Sequence, residues 1–235
     1  MSSGPGVFIS FEGPDGGGKS TQVRLLACAL ARLGYDCVCS FEPGGTPIGR
    51  RIREIVLDTK TCGMHGVTEF LLYAADRAQD VHEVIIPAID EGKVVLADRF
   101  VDSSLAYQGH GLCMDIQSVR AVNEIATGGL RPDLTVLLDI DAALGVARAR
   151  GRGKGRSSDS GDGNCGGDRI EIRMLEFHER VRAAYHEMAE REPARFRRID
   201  VTEKSIEQVH QEVLAIVSRF LEKRGFGKVN SNAHS

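Results

Sequence analysis

Residues Gly13-Pro14-Asp15-Gly16-Gly17-Gly18-Lys19-Ser20 match the phosphate-binding pattern G-x-x-x-x-G-K-[ST]. The stretch follows residues 7–11, a short apolar run that predicts a strand, and it leads into residues 19–33, whose apolar spacing predicts a helix. Glycines let backbone N–H groups approach phosphate oxygens, and the N-terminus of a helix directs its dipole at them. A strand, this loop and a helix in succession therefore predict an α/β protein that binds a nucleotide.

Two side chains at the end of the loop complete the pattern. The lysine, Lys19, reaches the outer phosphates, and the serine hydroxyl, Ser20, can ligate Mg²⁺. The residues that we assign to nucleotide binding are Gly13, Pro14, Asp15, Gly16, Gly17, Gly18, Lys19, Ser20 and Thr21.

GTPases, ATP-driven motors and small-molecule kinases all use this loop. The chain has no N-K-x-D element for guanine and no D-x-x-G after a strand, which argues against a GTPase. A kinase of a small acceptor predicts several arginines and an acceptor pocket further along the chain. The alternative is a P-loop switch or regulatory ATPase that has no small-molecule acceptor.

Composition excludes several other classes. The 235 residues carry 30 Lys+Arg against 33 Asp+Glu, a net charge of -3, so no general basic field marks a nucleic-acid binder. No apolar run approaches the roughly 20 residues of a membrane span, and the first residues lack a signal-peptide pattern. We therefore expect a cytoplasmic protein without nucleic-acid or membrane partners. The six cysteines lack metal-site spacing, so no disulfide or metal framework is expected.

Short apolar runs alternate with helical periodicity along most of the chain, which predicts βαβ units and a parallel sheet. The predicted strands are residues 7–11, 36–40, 93–98, 134–140 and 196–201, and the helices between them include 48–57, 68–91, 116–127, 142–150 and 171–191. Ser205 is the expected cap of a last helix. We predict a P-loop NTPase fold with a five-stranded parallel sheet, one domain over residues 1–225 and a tail over 226–235. Gly13, Glu42, Asp98 and Asp139 should meet at the carboxyl edge of the sheet.

Several further motifs follow in a fixed order. They are F-E-G-P-D-G (11–16), E-P-G-G-T (42–46), Y-A-A-D-R (73–77), D-R-F (98–100), D-S-S-L-A-Y-Q-G (102–109), R-P-D-L (131–134) and D-R-I-E (168–171). With these stretches the chain resembles the bacterial thymidylate kinases over residues 7–214. The resemblance implies transfer of the γ-phosphate of ATP to dTMP, yielding dTDP for dTTP synthesis, with Mg²⁺ as cofactor and a homodimer as the assembly.

The resemblance also implies which residues bind dTMP. Arg53 and Arg99 would hold the acceptor phosphate, a role that suits the planar guanidinium. Tyr73 would stack on thymine, with Arg77 and Gln108 at the edge of the base. The full substrate-binding set is Asp15, Glu42, Arg53, Tyr73, Arg77, Arg99, Ser103, Ser104, Tyr107 and Gln108.

Other roles concern the sugar, the metal ion and the chemistry. Tyr107 would disfavour a 2′-hydroxyl, and Asp15 would reach the 3′-hydroxyl. Ser20, Asp98 and Glu42 would bind or orient Mg²⁺. The catalytic set that follows is Lys19, Asp98, Arg99 and Arg152.

Residues 151–167 form a second glycine-rich segment. Cations that recur every second residue do not build one face of a helix, so we expect a mobile cationic lid over about 150–170. Residues 157–166 extend it beyond the usual family length. Arg150, Arg152 and Arg156 are all candidates for the arginine that the lid delivers to the transferring phosphate, and Arg152 is our assignment.

Some of these residues also suit simpler roles. Tyr73 shares its helix with Phe70 and also fits a core position, and Arg53 also fits a solvated helix charge. His178 and His186 lie on a charged helix, and we assign both to the solvated surface without a function.

Overall fold

A computed structural model describes residues 6–61, 63–153, 169–170 and 173–227, without the side chains of 152 and 153. Five strands lie in one sheet of this part of the chain: β1 (Val7–Glu12), β2 (Cys37–Phe41), β3 (Val94–Asp98), β4 (Leu134–Asp139) and β5 (Phe196–Asp200). Their order is β2-β3-β1-β4-β5, and every neighbouring pair is parallel. The prediction of a five-stranded parallel sheet is confirmed.

The helices of the described residues flank this sheet. They are α1 (Lys19–Arg32), α2 (Pro47–Leu57), α3 (Gly66–Asp80), α4 (Ile86–Asp90), α5 (Val101–Ser104), α6 (Ile116–Thr127), α7 (Ala142–Gly153), α8 (Leu175–Arg191) and α9 (Ile206–Lys223). Two wider π-helical segments, Val81–Ile85 and Leu105–Gly111, continue α3 and α5. None of the helices described is long and apolar enough to cross a membrane.

Side-chain alternation along β1 explains the two layers of helices. Val7, Ile9 and Phe11 belong to the core that β1 shares with α1 and α9, whereas Phe8 belongs to a second core that contains Phe100. All six residues of β1 are buried. A strand that is apolar on both faces is typical of a parallel sheet covered on both sides.

Several element boundaries differ from the prediction. The helix over 68–91 is expected to hold Pro87 only with a kink or a break at its last turn, and the structure has the break earlier, at the π-helical segment that precedes Pro87 in the first turn of α4. Proline offers no N–H to the preceding turn, so a regular α-helix is not maintained there. The helix predicted from residue 48 begins one residue earlier, at Pro47, directly after the Thr46 cap, a position that favours proline.

The C-terminal end also departs from the expectation. Ser205 caps α9 in a reciprocal capping box with Gln208, as predicted. Phe226, assigned to the tail, instead packs against Tyr35 with ring centroids 6.2 Å apart. Residues 228–235 of the tail lie outside the described part of the chain.

The carboxyl ends of the strands meet as the topology requires. The backbone N–H of Glu42 donates to the carbonyl of Asp98 over 3.0 Å, and Gly13 lies against the backbone of Leu138 on β4. The side chain of Asp139, however, is bound by Arg182 of α8. The β4 carboxylate is therefore committed to the packing of α8.

Candidate active site

The loop between β1 and α1 uses its glycines for close backbone approach. A Cβ at Gly13, where φ is +133°, would lie 2.2 Å from the carbonyl oxygen of Leu138. A Cβ at Gly16, where φ is +80°, would lie 2.2 Å from the carbonyl oxygen of Gly145. Both positions therefore exclude a side chain by collision as well as by conformation, and the loop is packed onto β4 and α7.

Lys19 lies inside the curve of this loop. Its ammonium donates to the carbonyls of Gly13 and Pro14, over 2.9 and 2.8 Å, and the residue is 7% exposed. Burial, together with the charge of Arg99, lowers the pKa of Lys19 to about 8. A partly desolvated cation held only by carbonyls can exchange these partners for phosphate oxygens.

Ser20 and Asp98 are brought together from the loop and the end of β3. The Ser20 hydroxyl donates to Oδ2 of Asp98. A hydroxyl and a carboxylate in contact are hard oxygen donors that suit Mg²⁺, so this pair fits a magnesium site.

Glu42 does not join that pair. Both of its carboxylate oxygens accept N–H groups of Arg77, over 3.2 and 2.6 Å, and the residue is 5% exposed. The expectation that Glu42 ligates magnesium is therefore not supported by its contacts, because a buried guanidinium already occupies both oxygens.

Arg99 adopts a positive φ of 79°, which is rare for a residue with a side chain and points its guanidinium back over the loop. It donates to the carboxylate of Asp15 and, over 3.0 and 3.1 Å, to the hydroxyls of Ser103 and Tyr107. Tyr107 in turn donates to Asp15 over 2.8 Å. Burial alone would raise the pKa of Asp15, but the charges of Arg99 and Lys19 outweigh it and lower the pKa.

Glu12 supports this turn and is a residue that motif reading missed. It is fully buried and accepts from the Phe100 backbone N–H, the Ser103 hydroxyl and the Tyr185 hydroxyl, over 2.8, 2.6 and 2.9 Å. Burial and the nearby Asp102 raise the pKa of Glu12 to about 7. The only sequence signal was a carboxylate that directly follows the largely apolar run 7–11.

Arg77 is buried and fully engaged within the protein. Besides Glu42, its guanidinium donates to Ser104 Oγ, Asn123 Oδ1 and the Phe100 carbonyl, over 2.9, 2.7 and 3.2 Å. These contacts use all five of its N–H groups. Contact with the edge of a base would therefore require Arg77 to exchange one of these partners.

The remaining predicted acceptor residues line the same region from three elements. Arg53 on α2 is exposed and donates to the Pro43 carbonyl over 2.8 Å. Tyr73 is half-buried on α3, one turn before Arg77. Gln108, in the π-helical segment Leu105–Gly111, is buried and donates its Nε2 to Glu69 over 3.0 Å.

The predicted lid, about residues 150–170, lies mostly outside the part of the chain that the structure describes. Arg150 is exposed near the end of α7. The side chain of Arg152, all of Arg156 and the insertion 157–166 fall outside the described residues. Their assignment stays a prediction.

His178 contradicts its assignment to the solvated surface. It is 2% exposed, its ring contacts Phe177 edge-on at 5.2 Å, and burial lowers its pKa. The charge of Asp15 opposes this lowering of the pKa of His178, so His178 lies on the side of α8 that is near the phosphate loop. His186 is 30% exposed on its side chain, with Nε2 2.9 Å from Oδ2 of Asp139.

These features define a P-loop nucleotide-binding protein with a cluster of Arg99, Asp15 and Tyr107 beside the loop. The family model for thymidylate kinase matches residues 11–213. The chain therefore belongs to the thymidylate kinase family.

Individual relatives agree with this assignment. The thymidylate kinase of Halothermothrix orenii is 49% identical over 208 residues, which covers 88% of this chain and 94% of the relative. That of Desulfovibrio desulfuricans is 44% identical over 94% of this chain and 99% of the relative. The crystal structure of thymidylate kinase from Ehrlichia chaffeensis superposes with a TM-score of 0.70 at 30% identity, covering 91% of this chain and 99% of that one.

Proposed function

We propose that this chain transfers the γ-phosphate of ATP to dTMP, forming dTDP and ADP and supplying dTTP synthesis. The observation that carries the proposal is the cluster of Arg99, Asp15 and Tyr107 directly beside Lys19. Membership of the thymidylate kinase family supports dTMP as the acceptor and ATP as the donor. A switch ATPase has no need for an acceptor cluster at this position.

The acceptor phosphate is its own nucleophile, because a phosphate monoester with a second pKa near ~6 is mostly a dianion at neutral pH. The chain therefore has no proton to remove from the attacking oxygen. It has to hold two anions in line and cancel their repulsion. Lys19 serves the donor phosphates, and Arg99 and Arg53 serve the acceptor phosphate.

Arg99 is prepared for this role by its neighbours. Asp15 and Tyr107 hold the guanidinium within the turn, and Tyr107 lies under it with its ring 4.8 Å from the guanidinium carbon. An arginine fixed before substrate arrives loses little conformational freedom on binding. We assign Asp15 to the 3′-hydroxyl of the deoxyribose and Tyr107 to the exclusion of a 2′-hydroxyl, as the family resemblance implies.

Ser20 and Asp98 would hold the metal ion. Mg²⁺, when bound, supplies charge neutralisation on the phosphate oxygens of ATP. Asp98 is anchored by its position at the end of β3, and Ser20 by the first turn of α1. The lid arginine, assigned to Arg152, would add a further cation.

A coupled assay of ADP release tests the proposal. The chain is mixed with ATP, Mg²⁺ and one acceptor at a time: dTMP, dUMP, dCMP, AMP or GMP. We expect ADP release to depend on acceptor and to be fastest with dTMP. The margin over dUMP should be modest, because one methyl group is worth about 1–3 kcal/mol. ADP release at the same rate without any acceptor would instead indicate a switch or regulatory ATPase.

We also propose that the chain forms a homodimer through helices. Large exposed hydrophobic residues recur on three successive helices: Ile48 and Ile55 on α2, Val67 and Leu71 on α3, and Ile86 on α4. α2 packs against α3, so part of this apolar surface is shared. Light scattering should give twice the 25.5 kDa chain mass. Leu71→Asp should shift it towards the monomer, whereas Leu33→Asp on another surface should not.

A further inference from the structure

Glu69 is a fully buried carboxylate on α3 that the proposed chemistry does not use. Its Oε2 accepts from Nη2 of Arg169 and Nη2 of Arg173, both over 2.5 Å. Its Oε1 accepts from Nε2 of Gln108 over 3.0 Å. One carboxylate thus joins two arginines to the amide that is expected to contact the base.

The chemistry of these groups decides the orientation of Gln108. An ionised carboxylate can only accept hydrogen bonds, whereas an amide has a donating and an accepting end. Two guanidinium groups on Oε2 keep Glu69 in place and leave Oε1 for the amide. Gln108 must therefore donate its Nε2 to Glu69. Its carbonyl oxygen Oε1 is then the end of the amide that is left for another partner.

Glu69 and Gln108 are close in the chain to residues that we assign to the acceptor site. Glu69, Tyr73 and Arg77 are spaced four residues apart on α3, so they lie along one face of the helix. Gln108 follows Tyr107, whose hydroxyl is bound to Arg99 and Asp15. Arg169 is itself fixed, because its Nε donates to the Val56 carbonyl over 3.0 Å.

We propose that Glu69 is a positioning residue for acceptor selectivity, which sets the Gln108 amide so that Oε1 faces the base. This inference rests on the proposed function. An inward carbonyl accepts the N3–H that thymine and uracil both carry. Cytosine has an unprotonated N3 acceptor there, so two acceptors would face each other and binding would be weakened.

The test is a comparison of three acceptors in Glu69→Gln. In Glu69→Gln the two guanidinium groups retain the amide oxygen, so the NH2 group of the new side chain faces Gln108 and favours the reversed amide, with Nε2 towards the base. We expect the ratio of kcat/KM for dTMP over dCMP to fall about tenfold. The ratio for dTMP over dUMP should stay unchanged, because both bases carry N3–H. A purely structural role would lower all three acceptors in parallel and leave both ratios unchanged, which would overturn the inference.

A double-mutant cycle tests whether Glu69 changes the dTMP over dCMP ratio through Gln108. Gln108→Ala should lower the dTMP over dCMP ratio, and Glu69→Gln added to it should cause no further fall. A further fall of the same size would overturn the inference, as would a Gln108→Ala ratio equal to wild type. In either case phosphorylation of dTMP by the unmodified chain would still support the proposed function. Failure of the unmodified chain to phosphorylate dTMP would overturn both.

Arg173→Met is the matched control, since it removes a contact of Oε2 and leaves the bond from Gln108 to Oε1. It should keep the dTMP over dCMP ratio within about twofold of wild type. If Glu69→Gln does not fold, the Glu69→Gln, Arg173→Met double variant replaces it, because it restores the net charge of the buried cluster. The same fall in ratio is expected in that background, and an unchanged ratio would overturn the inference.

Discussion

The hydroxyl of Ser20 donates a hydrogen bond to the Oδ2 carboxylate oxygen of Asp98, and this contact joins the phosphate loop to the end of β3. The two residues are 78 positions apart, and the parallel sheet brings them together because β1 and β3 are neighbouring strands. The hydroxyl at the start of α1 and the carboxylate at the end of β3 are thus available as one set of oxygen ligands.

Asp98→Asn should raise the requirement for Mg²⁺. The amide loses the charge that attracts the cation while it keeps the size of the side chain, so half-maximal activity should need about tenfold more Mg²⁺. The measurement is a Mg²⁺ titration of dTDP formation at constant ATP, with EDTA as the zero-metal point. Asp115→Asn, at the exposed cap of α6, should leave the titration unchanged. An unaltered Mg²⁺ requirement in Asp98→Asn would exclude this carboxylate from the metal site.

The lowered pKa of Lys19 predicts a loss of activity at alkaline pH. Its pKa is lowered to about 8, so the side chain is a cation below that pH and becomes neutral above it. The value of kcat/KM for ATP, which reports groups of the enzyme form that binds ATP, should therefore fall as pH rises through about 8. Lys19→Ala should lower turnover by roughly 100-fold or more at every pH, because the donor phosphates lose their cation.

The Lys19→Arg variant tests whether deprotonation of Lys19 causes the alkaline decline, because a guanidinium stays charged over the whole pH range of the assay. Its rate will be lower, but the decline above about pH 8 should disappear. Initial rates between about pH 6.5 and 9.5, at subsaturating ATP and saturating dTMP, provide the comparison. A decline of wild-type shape in Lys19→Arg would assign the titration to another group.

The sequence predicted the loop, the sheet and most helices because their signals are local. A strand that is apolar on both faces and the loop pattern need no knowledge of distant residues. The segment 101–111 has no secondary-structure prediction, and the structure folds it into α5 and the π-helical segment Leu105–Gly111. A Cβ at Gly111 would meet the Phe177 ring at 2.5 Å, and one at Gly109 would meet Ile116 at 2.6 Å. These glycines allow close packing on α8 and α6 and do not mark a loop.

The candidate site was only partly predictable for a different physical reason. Motif spacing identified Lys19, Asp98 and Arg99, which lie where the strands end. It did not identify Glu12 or Glu69, because a buried carboxylate acquires its role from partners that are far away in the chain, such as Tyr185 and Arg169.

The ion pair of Glu42 and Arg77 should dominate local stability. Arg77 is 1% exposed and burial raises the pKa of Glu42 to about 8, so above that pH Glu42→Gln would leave a buried guanidinium without its counter-charge. We expect a loss of about 3 kcal/mol in the free energy of unfolding, measured by urea denaturation. Replacing both partners, as Glu42→Gln with Arg77→Met, should be less destabilising than Glu42→Gln alone. Glu187→Gln, in the exposed pair with Arg191, should cost under about 1 kcal/mol.

Titration of Glu12 should make the free energy of unfolding depend on pH, and Glu12→Gln should remove this contribution. Its pKa is raised from 4.5 in the unfolded chain to about 7 in the fold, so the native state retains a proton that the unfolded state has lost between these values. The unfolded state binds fewer protons in this window, and the free energy of unfolding therefore falls as pH rises through it. In Glu12→Gln this contribution is absent. The stability of wild type relative to Glu12→Gln should decrease by about 2 kcal/mol between pH 5 and pH 7.5, measured by urea denaturation at each pH. Glu124→Gln, on α6, serves as the control and should follow wild type at both pH values. A constant difference between wild type and Glu12→Gln would mean that the buried carboxyl titrates as it does in the unfolded chain.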